Sequence, residues 1–455
     1  MCGGKMRKIN RFNAATTLGS LTAAVALLAG MPAAFADPAT DSSDTSVSGQ
    51  AAPGGGAFPG SFLVPGTNTS IKIGGFAKGT YIYDLSAADG APNNATVVAP
   101  GAIPLEGTVT HQARGALRFH AKQSNFNFDA RTPTAWGELD VFILSDFFGQ
   151  NVSNTFANSN TENARLVLAY GTLGPLLGGQ TLSLFYDGDA QGETVDPTAT
   201  VGIMNGLTNR HPQIRYTYVA GGGLSAAVSA EQPVWEVQDN GTALGAGVGG
   251  VQTTASSATG WSRYPDGIAR VRLDQAWGHV ALTGAVRDQS VKQAGARLGG
   301  AGYGVELTGH LNTIGKDALK AQALWGKAIG HYLSDMGALA GLEANSAAGF
   351  SNKKPQAYGF YAAYTHWWTN ELRSSLSGGY SHLDVDTSII TSAAAQNARD
   401  KLHVGGVVNL IWSPVPQVDI GLEYIYVHRV TAAPNGAVGS SGQLNRIEAE
   451  TVFKF

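Results

Sequence analysis

The chain is nearly devoid of cysteine, with Cys2 the single one in 455 residues. A disulfide scaffold and a cysteine-ligated zinc site are thereby excluded. Charge is scarce as well, at 14% of residues, and the formal net charge of -3 shows no basic excess. That argues against a nucleic-acid partner. Beyond Ala36 no run of about 18 predominantly apolar residues occurs, so no membrane-spanning helix is expected. The ten histidines show no metal-binding spacing such as H-E-x-x-H. Gly299-Gly300-Ala301-Gly302-Tyr303-Gly304 has the look of a dinucleotide loop but lacks the strand–loop–helix setting one requires. No Ser-His-Asp constellation stands out either, so neither a cofactor nor an enzymatic activity is expected. What the chain has in excess is glycine, 60 residues and roughly twice the usual share, without a Gly-X-Y period.

The N-terminus carries an export pattern. Lys5, Arg7, Lys8 and Arg11 precede an apolar stretch densest over Leu21–Leu28, followed by Ala34-Phe35-Ala36. A positive region, a short apolar core and an A-x-A site read as a signal peptide over 1–36. Residues 37–70, rich in Asp, Ser, Gly and Pro, read as a flexible periplasmic leader, and 71–455 as one structural domain. An exported chain of this kind is either soluble or a β-barrel.

From Ile71 onward, apolar residues alternate with polar or small ones, the period of two that marks strands. Leu402, Val404, Gly406, Val408, Leu410 and Trp412 share one face, and Lys401, His403, Gly405, Val407, Asn409 and Ile411 the other. Sixteen such segments run from 71–84 to 442–455. Their connections alternate in length: 85–112, 149–162, 188–209, 233–265, 289–300, 330–355, 384–399 and 431–441 are long. The intervening ones are short and hold turn residues such as Thr132-Pro133-Thr134, Gly221-Gly222-Gly223 and Pro414-Val415-Pro416. A soluble sandwich has no reason to sort loops by parity. A membrane barrel does, with short turns at the periplasmic end and long loops outside. The expected fold is all-β: a sixteen-stranded antiparallel transmembrane barrel in the outer membrane of a Gram-negative bacterium, in contact with its lipid. Phe455, an aromatic closing an alternating strand, fits the same reading. Tyr81, Trp136, Trp277, Trp325, Trp368 and Trp412 lie near segment ends, where barrels place aromatic girdles.

Sixteen strands enclose an aqueous channel, whose selectivity is set by charges lining its narrowest part. Alternation turns Arg165, Arg215, Arg270 and Arg272 inward, together with Arg114, Arg118, His120 and Lys122. Strand parity changes near Asn125, which predicts a bulge or the rim of the barrel. A guanidinium binds carboxylates bidentately and keeps its charge, so these residues are candidates for an anion-binding wall. The competing expectation is that they merely pair with acids in the lumen. The connection 188–209 follows Asp187 and holds Asp189, Glu193, Asp196 and the apolar run Val201–Leu207. Such a run inside a polar loop predicts a segment packed against the wall.

Several stretches between Ala116 and Glu231 resemble one family, the DcaP-like trimeric porins. They are Arg118-Phe119-His120-Ala121-Lys122, Thr132-Pro133-Thr134-Ala135-Trp136-Gly137-Glu138-Leu139 and Ser145-Asp146-Phe147-Phe148-Gly149. Ala164-Arg165-Leu166-Val167-Leu168-Ala169-Tyr170-Gly171, Gly179-Gln180-Thr181 and Gln213-Ile214-Arg215-Tyr216 continue the match. The resemblance implies a homotrimeric diffusion channel favouring small anions such as dicarboxylates. The third long connection resembles that of general porins, which folds into the lumen, and by that resemblance Asp187, Asp189, Glu193 and Asp196 would oppose the arginines. Arg165 and Arg215 fall inside the matched stretches, whereas Arg270 and Arg272 rest on parity. Residues 37–70 lack the heptads of the coiled coil that some relatives carry. A structural or adhesive barrel with a loop-occluded lumen is the alternative expectation.

Overall fold

A computed structural model describes residues 55–86, 97–149, 163–202, 209–239, 242–248, 258–293, 296–345 and 351–455. The expected signal peptide and the leader up to residue 54 lie outside them.

Sixteen antiparallel strands form the barrel. They are β1 (Ser70–Ser86), β2 (Ala116–His120 and Asn125–Thr134), β3 (Gly137–Gly149), β4 (Asn163–Leu173), β5 (Leu176–Leu182) and β6 (Arg210–Gly221). Next come β7 (Leu224–Glu231), β8 (Asp266–Gln275), β9 (Gly278–Gln293), β10 (Ala296–Asn312) and β11 (Ala318–Lys327). The last five are β12 (Gln356–Trp367), β13 (Leu372–Leu383), β14 (Asp400–Val415), β15 (Val418–Thr431) and β16 (Ser441–Lys454). β1 pairs with β16 from Phe76↔Lys454 to Ser86↔Asn445 and so closes the cylinder. Closure leaves no strand edge facing lipid, where an unpaired N–H or C=O would find no water.

The break in β2 falls at the parity change. Ser124 N donates to Ala121 O (3.0 Å), and both halves of β2 pair with β1. Three readings of the connections need correction. Pro414 and Val415 belong to β14, with Val415 paired to Val418, so that turn is Pro416-Gln417. Thr132–Thr134 belong to β2, paired with Gly137–Leu139, and the turn is Ala135-Trp136. The connection 289–300 is mostly ladder: β9 and β10 stay paired out to Gln293↔Ala296, so they project as a hairpin. In the β6–β7 turn, Gly221, Gly222 and Gly223 all adopt positive φ, and a Cβ on Gly223 would sit 1.8 Å from Asp274 O. Only glycine fits such a site.

Alternation sorts the two faces. Leu117, Phe119, Ile214, Leu282, Leu307, Phe360, Leu376 and Leu422 are all more than half exposed on the outside. A water-soluble protein does not expose so continuous an apolar surface; here lipid covers it. Trp136, Trp277 and Trp368 stand exposed at the periplasmic turns. The inner face carries the buried polar side chains, among them Lys78, His279, Gln322, Arg373, Asn409, Glu423, Arg446 and Glu448. Outside the cylinder, a four-stranded sheet joins Thr242–Val248, Val234–Asp239, Leu342–Asn345 and Ser351–Lys353 in that order. It ties the fourth long loop to the sixth.

The candidate site: a lumen crossed by the third loop

The third loop enters the barrel. Leaving β5, it donates Leu184 N to Glu231 (2.8 Å) at the end of β7. The Asp187 carboxylate then meets His279 Nε2 (3.0 Å) on β9, Thr308 Oγ1 on β10 and Arg272 Nη1 (3.4 Å) on β8. Asp189 accepts from Arg272 Nη2 (2.7 Å). Further on, Gln191 O accepts from Lys320 Nζ (2.8 Å), and Gly192 N donates to Tyr361 Oη (3.1 Å). Glu193 forms a bidentate pair with Arg373, at 2.6 and 2.5 Å. Val195 N and Asp196 N both donate to Glu423 (2.7 and 3.0 Å), while Val195 O accepts from Lys78 Nζ (2.8 Å). Asp196 also accepts from Val98 N (2.7 Å) and lies 3.6 Å from Arg446 Nη1. Gly202 closes against β12 and β13, where a Cβ would stand 2.5 Å from Phe360 O. Every one of these wall partners lies on β7–β16 or β1.

The first and sixth loops pack above it. Val98 and Ile103 of the first loop share a buried cluster with Ala199, Val201, Val407, Ile425, Val427 and Leu444. Tyr332, Leu333 and Met336 of the sixth share another with Leu184, Phe185, Ile268, Ala285, Leu324, Ala357 and Leu383. None of the loop contacts named above falls on the inner wall of β2–β5. On the periplasmic side, a cavity of about 820 Å³ lies beneath the third loop, lined by Glu193, Lys320, Trp367, Arg373, Asp419 and Lys454 among others.

A closed barrel with a loop folded across its bore is the build of a channel, and the sequence comparisons agree. A family described as the Porin subfamily matches residues 58–450. The chain belongs to this porin family. As one of its members it resides in the outer membrane of a Gram-negative bacterium. The outer membrane channel DcaP of Acinetobacter baumannii superposes with a TM-score of 0.68 at 21% identity, covering 87% of this chain and 99% of that one. An anion-selective porin from Comamonas acidovorans superposes with a TM-score of 0.50 at 10% identity, covering 85% and 100%. At such identities the likeness is one of fold. No curated protein sequence matches the chain.

The candidate arginines of this porin fall into three groups. Arg118 and Arg165 lie on the wall of β2–β5 and Arg215 on β6 beside it. Arg118 pairs with Asp84, which also accepts from Arg446 Nε (2.8 Å). Arg165 holds Asp146 bidentately at 3.0 and 2.6 Å, with its guanidinium 5.3 Å from the Phe148 ring centre. Arg215 differs, with Leu182 O (2.7 Å) and Gln213 Oε1 (3.1 Å) as its acceptors. Arg270 and Arg272 form the second group, beneath the third loop. Arg270 donates to Tyr186 O (2.8 Å) and Thr283 Oγ1 (3.0 Å), and Arg272 joins Asp187, Asp189 and Asp274. Arg114 stands apart, exposed between the helical turn Val109–Gln112 and the start of β2, and not on a strand as the alternation implied.

The four loop acids thus meet cations by direct contact. Arg373 and Arg446 supply two of those contacts and were not singled out from the sequence. Their inward parity was legible, but nothing local says which acid a wall arginine will meet 180 residues away, as Arg373 meets Glu193.

Proposed function

We propose that the porin is a passive diffusion channel preferring small anions, with dicarboxylates as the favoured solutes. The path runs between the third loop and the β2–β6 wall. Arg118, Lys122, Arg165 and Arg215 line it, while Arg270 and Arg272 serve to anchor the loop. One observation carries this reading: Asp187, Asp189, Glu193 and Asp196 all end in ion pairs or close charge contacts with arginines under the loop. Their charge is answered locally, as is that of Arg118 by Asp84 and of Arg165 by Asp146 on the wall, which leaves Arg215 to set the sign of the aperture. Arg215, held by two neutral oxygens, has the charge least matched by a bonded carboxylate. A guanidinium there can offer its fork to a passing carboxylate.

The test is a reversal-potential measurement in planar bilayers under a salt gradient. Anion preference is the expected result, reduced in an Arg165→Ala, Arg215→Ala double variant. Cation preference in the native protein sinks the reading. The packed first and sixth loops favour the second reading, an occluded structural barrel, and absence of any conductance would establish it.

We further propose a homotrimer. Gly309, Ala321, Ala362, Gly378 and Gly406 are register neighbours across five successive strands, β10–β14, all on the lipid face. Such a band lets another wall approach closely, and it agrees with the resemblance to trimeric porins.

A further inference from the structure

The sixth loop is built as a lid, and three features set it apart. The first is its hinge. Ala328 has φ 48°, the only positive value for a non-glycine among the described residues, and Gly330 follows with φ 60°. A Cβ at Gly330 would lie 1.8 Å from Glu236 Oε2 and 2.1 Å from Arg287 Nη1. The second is its seat. Tyr332 and Leu333 are fully buried, with the Tyr332 ring 5.2 Å from that of Phe185, where the third loop begins. Tyr332 Oη reaches Asp266 (3.2 Å) at the outer end of β8, and Leu333 reaches down to Gly359 on β12. The third is a set of clasps. Arg287 binds Ile329 O (2.6 Å) and Glu236 (2.7 Å), and Glu236 accepts from His331 N (3.1 Å). Asp335 reaches Ser381 Oγ and His403 Nδ1 (3.2 Å) on the wall. Arg399 holds Leu339 O (2.9 Å) and Glu343 (2.6 Å).

We propose that the sixth loop is a second size-limiting element, which narrows the outer half of the bore above the third loop. Docked, it covers the half of the bore between β7 and β14 above the third loop and confines solutes to the remaining crescent. The inference rests on the channel reading above. Its apolar seat acts by exclusion, so the lid sets the largest solute admitted and leaves ion preference to the basic wall.

Liposome swelling with a monosaccharide, a disaccharide and a trisaccharide tests this on two variants of the full chain. In one, Tyr332–Ala340 is replaced by a short Gly-Ser linker. In the other, Leu333→Asp puts a charge into the apolar seat and leaves every wall residue in place. Heat-modifiable migration on gels verifies that each barrel is closed. The expected result is severalfold faster trisaccharide entry in both variants, with the reversal potential unchanged. Unaltered sugar rates in two folded variants of a conducting protein overturn the lid and spare the channel reading. A native protein that prefers cations yet shows the size shift overturns only the anion reading. No conductance in native and variants alike overturns both.

Discussion

Arg215 and Arg287 show how much a guanidinium's partners decide what it does. Arg215 donates to neutral oxygens, so its removal strands no bonded carboxylate. Arg215→Ala should therefore leave stability nearly unchanged and shift the reversal potential towards zero, a combination that bilayer recording and thermal melting read together. Arg287 is the opposite case, fully buried between Glu236 and Asp266. Arg287→Met leaves two buried carboxylates without their cation, a loss on the order of 3–5 kcal/mol. Thermal denaturation should show it, and hydrogen exchange should place it at the sixth loop.

At the scale of single elements, the docking of the sixth loop responds to acid. His331 packs against Glu236, Arg287, His211 and Tyr332, with Glu231 and Asp266 just beyond. Burial pushes its pKa from 6.5 down to about 4. At neutral pH it is uncharged, and Arg287 is the cation that answers Glu236. A released loop binds the proton more readily than a docked one. The His331 share of docking is at full strength above about pH 6.5 and is lost as pH falls through 4. Burial also raises the pKa of Glu236, but His331, which is charged by the pH at which Glu236 titrates, and Arg287 outweigh it and hold the group at about 2. Its folded value lies below the ordinary 4.5, so its share too is lost as pH falls. Protection factors over 330–345, each rate taken against the intrinsic amide rate at the same pH, should be high at pH 7 and clearly lower at pH 4.5, while the barrel strands stay protected. Equal protection factors at both pH values would refute the assignment.

At the scale of the whole molecule, the outer surface has two jobs. Leu282 and Leu307 are cross-strand neighbours facing lipid, both more than half exposed. Leu307→Arg should cost about 2–4 kcal/mol if the site lies near the midplane, seen as a lower urea midpoint in refolding into detergent or lipid. The small-residue band is different. Ala362→Trp should leave the barrel folded but shift unheated gel mobility from trimer to monomer, and unchanged mobility would move the interface elsewhere.

The sequence by itself determined the cylinder. Side-chain alternation is a property of each strand alone, and so is the length of each connection. Segments such as 400–413 and 417–430 therefore announced their lipid face, and loop parity announced which rim faces outward. Even the break near Asn125 was legible, because a skipped residue reverses parity locally. The tertiary structure alone decided where the lumen's charges go. Asp187 meets His279 and Arg272, and Glu193 meets Arg373, only because closure brings β8 to β14 around one loop. Coulombic pairing depends on distance in space, and the chain encodes that distance through the circumference of the whole barrel and not through any local pattern. The fold of the sixth loop is of the same kind: its apolar residues carry no strand period, and their seat exists only once β8–β13 stand side by side.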